Sequence, residues 1–182
     1  EAYWSRAASL DASNEAVLAG LATAQEATGD AEGLADTLRR LAAAAIAGAD
    51  EAAALRRLGD VLTQTGDLCG AVEALERAWA ADPRDADLDT IDGLARTGGL
   101  VEPRLAVLER RLSITDDPAT KADLWLARAP LEAERGDREL SLRALRSALH
   151  YAPRNATALR AVEDHLVADG DWAAVADHLE RW

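Results

Sequence analysis

Residues 52–85 read AAALRRLGDVLTQTGDLCGAVEALERAWAADPRD. The first half places Leu55, Leu58, Gly59 and Leu62 on one helical face, and the second half does the same with Leu68, Ala71, Leu75 and Ala78. Between them stands Gly66-Asp67. A glycine closes a helix because it enters the left-handed region without steric cost, and an aspartate opens the next by accepting from a free backbone N–H. Asp82-Pro83 ends the second segment, since the residue before proline is pushed out of the helical region. The stretch therefore predicts two antiparallel helices, over 51–65 and 68–82.

The same punctuation recurs outward in both directions. Gly29-Asp30, Gly136-Asp137 and Gly170-Asp171 repeat the dipeptide, and Gly98-Gly99 fills the remaining interval. Intervals of that size are the mark of stacked supersecondary units. They alternate between long and short, at 37, 33, 37 and 34 residues from Gly29 to Gly170. The true period is then a pair of hairpins, about 70 residues. At that offset Leu55 matches Trp125, Leu75 matches Leu145, Ala78 matches Ala148 and Pro83 matches Pro153. At twice that offset Leu34, Ala35-Asp36, Leu38 and Arg40 return as Val175, Ala176-Asp177, Leu179 and Arg181, with Trp182 standing where Leu41 stood.

The resulting expectation is an all-α chain, one repeat array over 1–182. A partial unit over 1–14 precedes hairpins at about 15–50, 51–85, 86–116, 117–155 and 156–182. Expected helices are 2–11, 15–28, 31–47, 51–65, 68–82, 86–97, 101–114, 118–135, 138–151 and 156–169, with a last one from Trp172 onward. Both ends read as mid-repeat, and a chain without methionine reads as a segment of a larger repeat protein. Pro118 after Asp117 suits the first turn of a helix. Pro130 falls inside one, where it removes a hydrogen bond and crowds the carbonyl of Leu126, so a kink is expected there.

Composition narrows the function. Formal net charge is −13, and Lys121 is the single lysine. Nucleic acid and anionic lipid both require clustered basic residues, so neither is an expected partner. The longest uncharged apolar run, Leu41 to Ala49, is far short of the roughly 20 residues of a membrane span. With neither methionine nor phenylalanine and an alanine-dominated apolar fraction, the helices are expected to pack closely on small side chains. Alanine and arginine richness beside one lysine suggests a bacterial source of high GC content. The compartment stays open, with the cytoplasm favoured and targeting signals free to lie outside the segment.

No phosphate loop, nucleophile elbow or paired-cysteine signature occurs, which makes the expected molecule a non-enzymatic one without cofactor or metal. Cys69, alone and without a local His or Lys to activate it, reads as a small buried filler. His165 and His178, flanked by Asp164, Asp169, Asp171 and Asp177, match no ligand spacing and read as solvent-facing. His150 beside Tyr151 reads as packing at a helix end.

The motif Leu55-x-x-Leu58-Gly59-x-x-Leu62, then Gly66-Asp67, Ala71, Leu75, Ala78 and Asp82-Pro83, resembles a tetratricopeptide repeat. Residues 122–155 resemble it too, with Trp125 at the family's favoured first-helix tryptophan; hairpin three departs most, with Asp92 where a small residue is usual. The resemblance implies a superhelix whose first helices line a concave groove that binds peptides or helices. Inner-face positions would be Arg56, Arg57, Asp60, Gln64, Arg96, Asp123, Glu134, Arg160 and Asp164, of mixed sign. The family's carboxylate-clamp positions hold Ala19, Thr23 and Arg57 here, which argues against that subtype. The expected function is a scaffold that binds a protein or peptide partner in the groove. The alternative is a structural spacer or self-assembling element, with self-association through terminal repeats that expose Trp4, Trp172 and Trp182. A regulatory domain on an enzyme elsewhere in a parent chain is a third reading.

Overall fold

The computed structural model describes residues 2–46 and 48–181, apart from the side chains of His178 and Arg181. The described residues form eleven helices: α1 (Ala2–Leu10), α2 (Glu15–Thr28), α3 (Ala31–Ala44), α4 (Ala49–Thr65), α5 (Leu68–Ala81), α6 (Asp85–Gly98), α7 (Val101–Ile114), α8 (Pro118–Glu134), α9 (Arg138–Tyr151), α10 (Ala156–Asp169) and α11 (Trp172–Arg181). Most boundaries fall within two residues of those expected. The exception is α3, expected to reach residue 47, which stops at Ala44 because Ala45 turns extended at φ −62° and ψ 143°. The expected positions Ala47 and Trp182 lie outside the described residues.

Turn chemistry explains the regularity. Gly29, Gly66, Gly99 and Gly170 each follow a helix in the left-handed conformation. At Gly66 (φ 86°) the glycine N–H donates to the Thr63 carbonyl and the Asp67 N–H donates to the Leu62 carbonyl, so the last turn is closed from outside. The following carboxylate then opens the next helix. Asp67 accepts from the Gly70 N–H at 2.9 Å, Asp30 from Gly33 at 3.0 Å and Asp137 from Leu140 at 2.9 Å. Between hairpins the caps are Asn14, Asp117 and Asn155, which accept from Val17, Thr120 and Ala158. Each is worth about 1 kcal/mol.

The chain divides into two compact units, Glu1–Pro103 and Arg104–Trp182, with the junction inside α7. In the first, α2 to α6 each pack on the helix before them in sequence. Its core joins Leu34, Leu38, Leu55, Leu58 and Leu62 with Ala22, Ala52, Ala71 and Ala78, and the alanines are the close-approach positions. Gly59 serves the same end, because a Cβ there would stand 3.0 Å from Leu75 Cγ. In the second, α8 to α11 pack in sequence around Ala129, Leu145, Ala148, Leu149, Val162 and Leu166, with Trp125 at the margin.

Pro130 lies within α8, which runs on four more residues to Glu134 despite the missing donor to Leu126. Three expectations are corrected. Trp4, expected to be exposed, is half-buried against Ala8, Leu18 and Leu21. Cys69 is exposed, not buried, because it falls in the first turn of α5 away from the face formed by Ala71, Val72, Ala74, Leu75 and Ala78. His165 is not solvent-facing: its side chain is only 10% exposed, and Nδ1 lies 3.2 Å from the Asp169 carboxylate. The side chain of His178, the other half of that reading, lies outside the described residues.

Candidate functional site

In the first unit, a cleft of about 440 Å³ opens between α2 and α4. Its walls are Ala16 and Ala19 of α2 and Ala53 and Ala54 of α4, with Leu41 and Ala45 from the end of α3. Glu15 and Asp50, in the first turns of α2 and α4, bring two carboxylates to the rim, and Arg57 brings the one cation. Arg57 is tied to Glu26 of α2 by a charge-assisted hydrogen bond. That contact links neighbouring first helices beside the cleft. Alanine on exposed positions of two adjacent helices is what leaves the space, since longer side chains there would fill it.

The nine expected inner-face residues all lie on first helices. Arg56, Arg57, Asp60 and Gln64 are on α4 and Arg96 is on α6, in the first unit. Asp123 and Glu134 on α8, and Arg160 and Asp164 on α10, belong to the second unit. All are exposed except Arg56 and Arg57, which are half-buried. Arg96 pairs along its own helix with Asp92 at 2.7 Å.

Arg56 is engaged inside the chain. Its Nε and Nη2 donate to both carboxylate oxygens of Asp87 at 2.9 and 2.8 Å, Nη1 donates to Asp82 at 3.2 Å, and Nη2 donates to the Asp82 carbonyl at 2.6 Å. The guanidinium thus fastens α4 to the start of α6 and to the loop before it. Asp87 raises the Arg56 pKa further above its already high value, against the cost of burial. Arg84 and then Arg56 hold the Asp82 carboxyl below the usual carboxylate range. Sequence reasoning named Arg56 but not its partners, which lie 26 and 31 residues away. It also passed over Glu15, Ala16, Asp50 and Ala53; the available signal was small residues on the polar side of two consecutive first helices.

In the second unit the charges organise differently. Glu132 of α8 is fully buried between Arg128, whose Nε donates at 2.8 Å, and Arg135, an ion contact at 2.7 Å without hydrogen-bond alignment. Arg128 also stands 5.5 Å over the Trp125 ring. On the far side, Arg138 of α9 holds Asp169 of α10 at 2.6 Å, lowering the carboxyl's pKa, with His165 on its other oxygen. Lys121 of α8 lies 5.7 Å over Tyr151 of α9, and His150 meets Tyr151 edge-on.

The motif residues of 52–85 now have their places: Leu55, Leu58, Ala71, Leu75 and Ala78 are buried, Gly59 admits Leu75, and Gly66-Asp67 makes the reversal. The fold is that of the tetratricopeptide repeat. A solved structure titled "Structure of Naa15/Naa10 bound to HypK-THB" has the same fold at a TM-score of 0.60, over 99% of this chain and 28% of that one, at 14% identity. Tetratricopeptide likeness at lower scores includes YrrB, titled "a TPR protein with an unusual peptide-binding site" (TM-score 0.47, 20% identity, 88% and 80% of the two chains). Another is MamA from Desulfovibrio magneticus RS-1 (TM-score 0.46, 16% identity, 92% of each chain). No protein-family model and no curated protein matches the sequence. Among the described residues, no helix of this tetratricopeptide array is long and apolar enough to cross a membrane.

Proposed function

We propose that the chain is a protein-interaction scaffold whose first unit binds an extended peptide or a helix of a partner across α2 and α4. The cleft between those helices carries the proposal. Its alanine walls have room for a bulky apolar side chain, and burying one is worth roughly 1.5–3 kcal/mol. Glu15 and Asp50 at the rim favour a ligand with a lysine or arginine beside that anchor, while Arg57 has its charge matched by Glu26. Arg57, Asp60 and Gln64 extend the surface along α4. Arg56 is left out of it, because its donors are committed to Asp82 and Asp87.

The test is affinity capture from the source organism, comparing the native chain with Ala19→Arg and Ala53→Trp, two substitutions at exposed positions that fill the cleft. A partner held by the native chain and lost from both variants, with thermal unfolding unchanged, is the expected result. Equal capture by all three would overturn the cleft as the binding surface.

A further inference from the structure

Helix α9 lies inside the second unit, packed on α8 before it and on α10 after it. Its buried residues are Ser141, Ala144, Leu145, Ala148 and Leu149. On the opposite side Arg143, Arg146 and His150 follow one another at i, i+3 and i+7, all exposed, and Arg154 stands exposed just beyond the helix end. Elsewhere the repeat carries the other sign at these places. Arg143 and Arg146 flank Leu145, whereas Glu73 and Glu76 flank Leu75 of α5, and Asp177 and Glu180 flank Leu179 of α11. The framework therefore does not call for cations here, in a chain of net charge −13. Nor are they consumed within the protein. Arg143 meets Glu139 of its own helix at 2.9 Å, an exposed pair that water screens, and Arg146 and Arg154 form no ion pair among the described residues.

At the end of this stripe the surface turns apolar. A recess of about 520 Å³ lies against Ala152, Pro153, Arg154 and Asn155. Tyr151 stands before it, with the Lys121 ammonium 5.7 Å over its ring and His150 edge-on beside it. In the first unit the matching place is used internally, by Arg56 on Asp82 and Asp87. The second unit has Leu126, Ala152 and Thr157 at those positions, which can form no ion pair. We infer that the stripe and the recess together are a docking surface for an acidic segment of a partner protein. Its carboxylates, three or four positions apart, meet Arg143, Arg146 and Arg154, and an apolar side chain enters the recess beside Ala152 and Pro153. Charge complementarity names this occupant. Screening extends over about 8 Å at physiological ionic strength, so a ligand on the stripe responds to these arginines more than to the net charge. From Arg143 to His150 the stripe is only about 10 Å long, and Glu139 closes its other end. That suits a few carboxylates, whereas an extended phosphate chain would run onto the acid.

The test pans a phage-displayed library of random peptides against the full 182-residue chain. The expected result is a class of peptides rich in aspartate and glutamate around an apolar residue. Their affinity, read by fluorescence polarisation, should fall by about tenfold or more when Arg143→Glu and Arg146→Glu are combined, and also with Ala152→Trp. The paired change installs the signs that α5 carries at the same places, so its melting temperature should stay that of the native chain, which separates lost docking from lost folding. Arg6→Glu combined with Arg39→Glu alters the net charge equally at exposed positions of α1 and α3, and should leave the affinity within about twofold. No acidic class, or one indifferent to Arg143 and Arg146, or one weakened equally by the Arg6 and Arg39 pair, overturns the inference. So does an oligonucleotide that binds with the same dependence on Arg143 and Arg146 and displaces the peptides. Sedimentation showing a dimer of the native chain that the paired change dissolves would make a second copy the occupant and overturn it as well.

Discussion

Helices α4 and α8 occupy the same place in hairpins one repeat pair apart, each 17 residues long, yet they dispose of charge in opposite ways. In α4 the cation Arg56 reaches Asp82 at the end of its own hairpin and Asp87 in the next, and the helix interior stays apolar through Leu55, Leu58 and Leu62. In α8 the position matching Arg56 is Leu126, the position matching Leu62 is Glu132, and the carboxylate is neutralised by Arg128 of the same helix and Arg135 at its C-cap. One framework therefore accepts an ion pair as a fastener between hairpins or as an insert within one. The difference lies in whether the partner is local, and this decides which substitutions the framework tolerates.

The largest effect is expected from moving the insert without its partners. Leu62→Glu places a carboxylate in a core where the matching neighbours are Leu58 and Thr65 in place of Arg128 and Arg135. An unpaired buried charge costs about 3–5 kcal/mol, so urea unfolding should show a loss of that order. A loss under about 1 kcal/mol would mean that α8 needs no arginines around its acid.

Next in size is Arg56→Ala. It strands Asp87, whose side chain is 7% exposed, and frees Asp82 from one of its two cations. Hydrogen bonds to charged groups are worth about 1.5–3 kcal/mol, and a loss in that range is expected by urea titration. The pH dependence follows from Asp82, whose folded pKa is below its ordinary 3.8. Its contribution is present above that value and fades as pH falls through the lower folded value. The gap in melting temperature between native chain and variant should hold from neutral pH to about 4 and narrow below it.

A smaller loss, about 1 kcal/mol, is expected for Asp67→Ala, which removes the cap on Gly70 N–H. The equivalent Asp137→Ala should cost the same, because Leu140 N–H is capped at the same 2.9 Å. Unequal losses, measured by thermal unfolding, would show that the hairpins differ in more than their charge pattern. The smallest effect is expected for Glu132→Leu. The substitution removes a desolvated carboxylate and leaves Arg128 and Arg135, whose side chains are 22% and 35% exposed and can turn to water, so a net change under about 1 kcal/mol is expected by urea unfolding. A large destabilisation would make the acid a requirement of α8 and not a tolerated insert.

Local chemistry was legible in the sequence, and distant partnership was not. Gly66-Asp67 announces its turn because both halves of the device are adjacent and each residue type has a single backbone purpose. The partners of Arg56 lie far along the chain, and whether its side chain points to a ligand or to Asp87 depends on packing that no spacing reveals. Glu132 was hidden for the opposite reason: Arg128 and Arg135, one turn away on either side, give its segment the look of a solvated, alternating-charge face. The cleft beside Ala16 and Ala53 escaped notice because alanine is unremarkable in a chain so rich in it. His165 was misread because its acidic neighbours suggested water, whereas its side chain is mostly buried with Nδ1 against Asp169.

The left-handed glycine and its capping aspartate carry one further consequence. At Gly66-Asp67 the donors and acceptors of the reversal are all satisfied within a few residues of it, by Leu62, Thr63 and Gly70. A junction so self-contained imposes nothing on the next segment beyond a face to pack on. Such an array can lengthen by copying a whole piece of about 70 residues, since each copy brings its own reversals and nearest-neighbour contacts supply the rest. A one-residue insertion inside α4 would instead rotate every later side chain of that helix by about 100°. The gene is open to growth by duplication and closed to drift in phase.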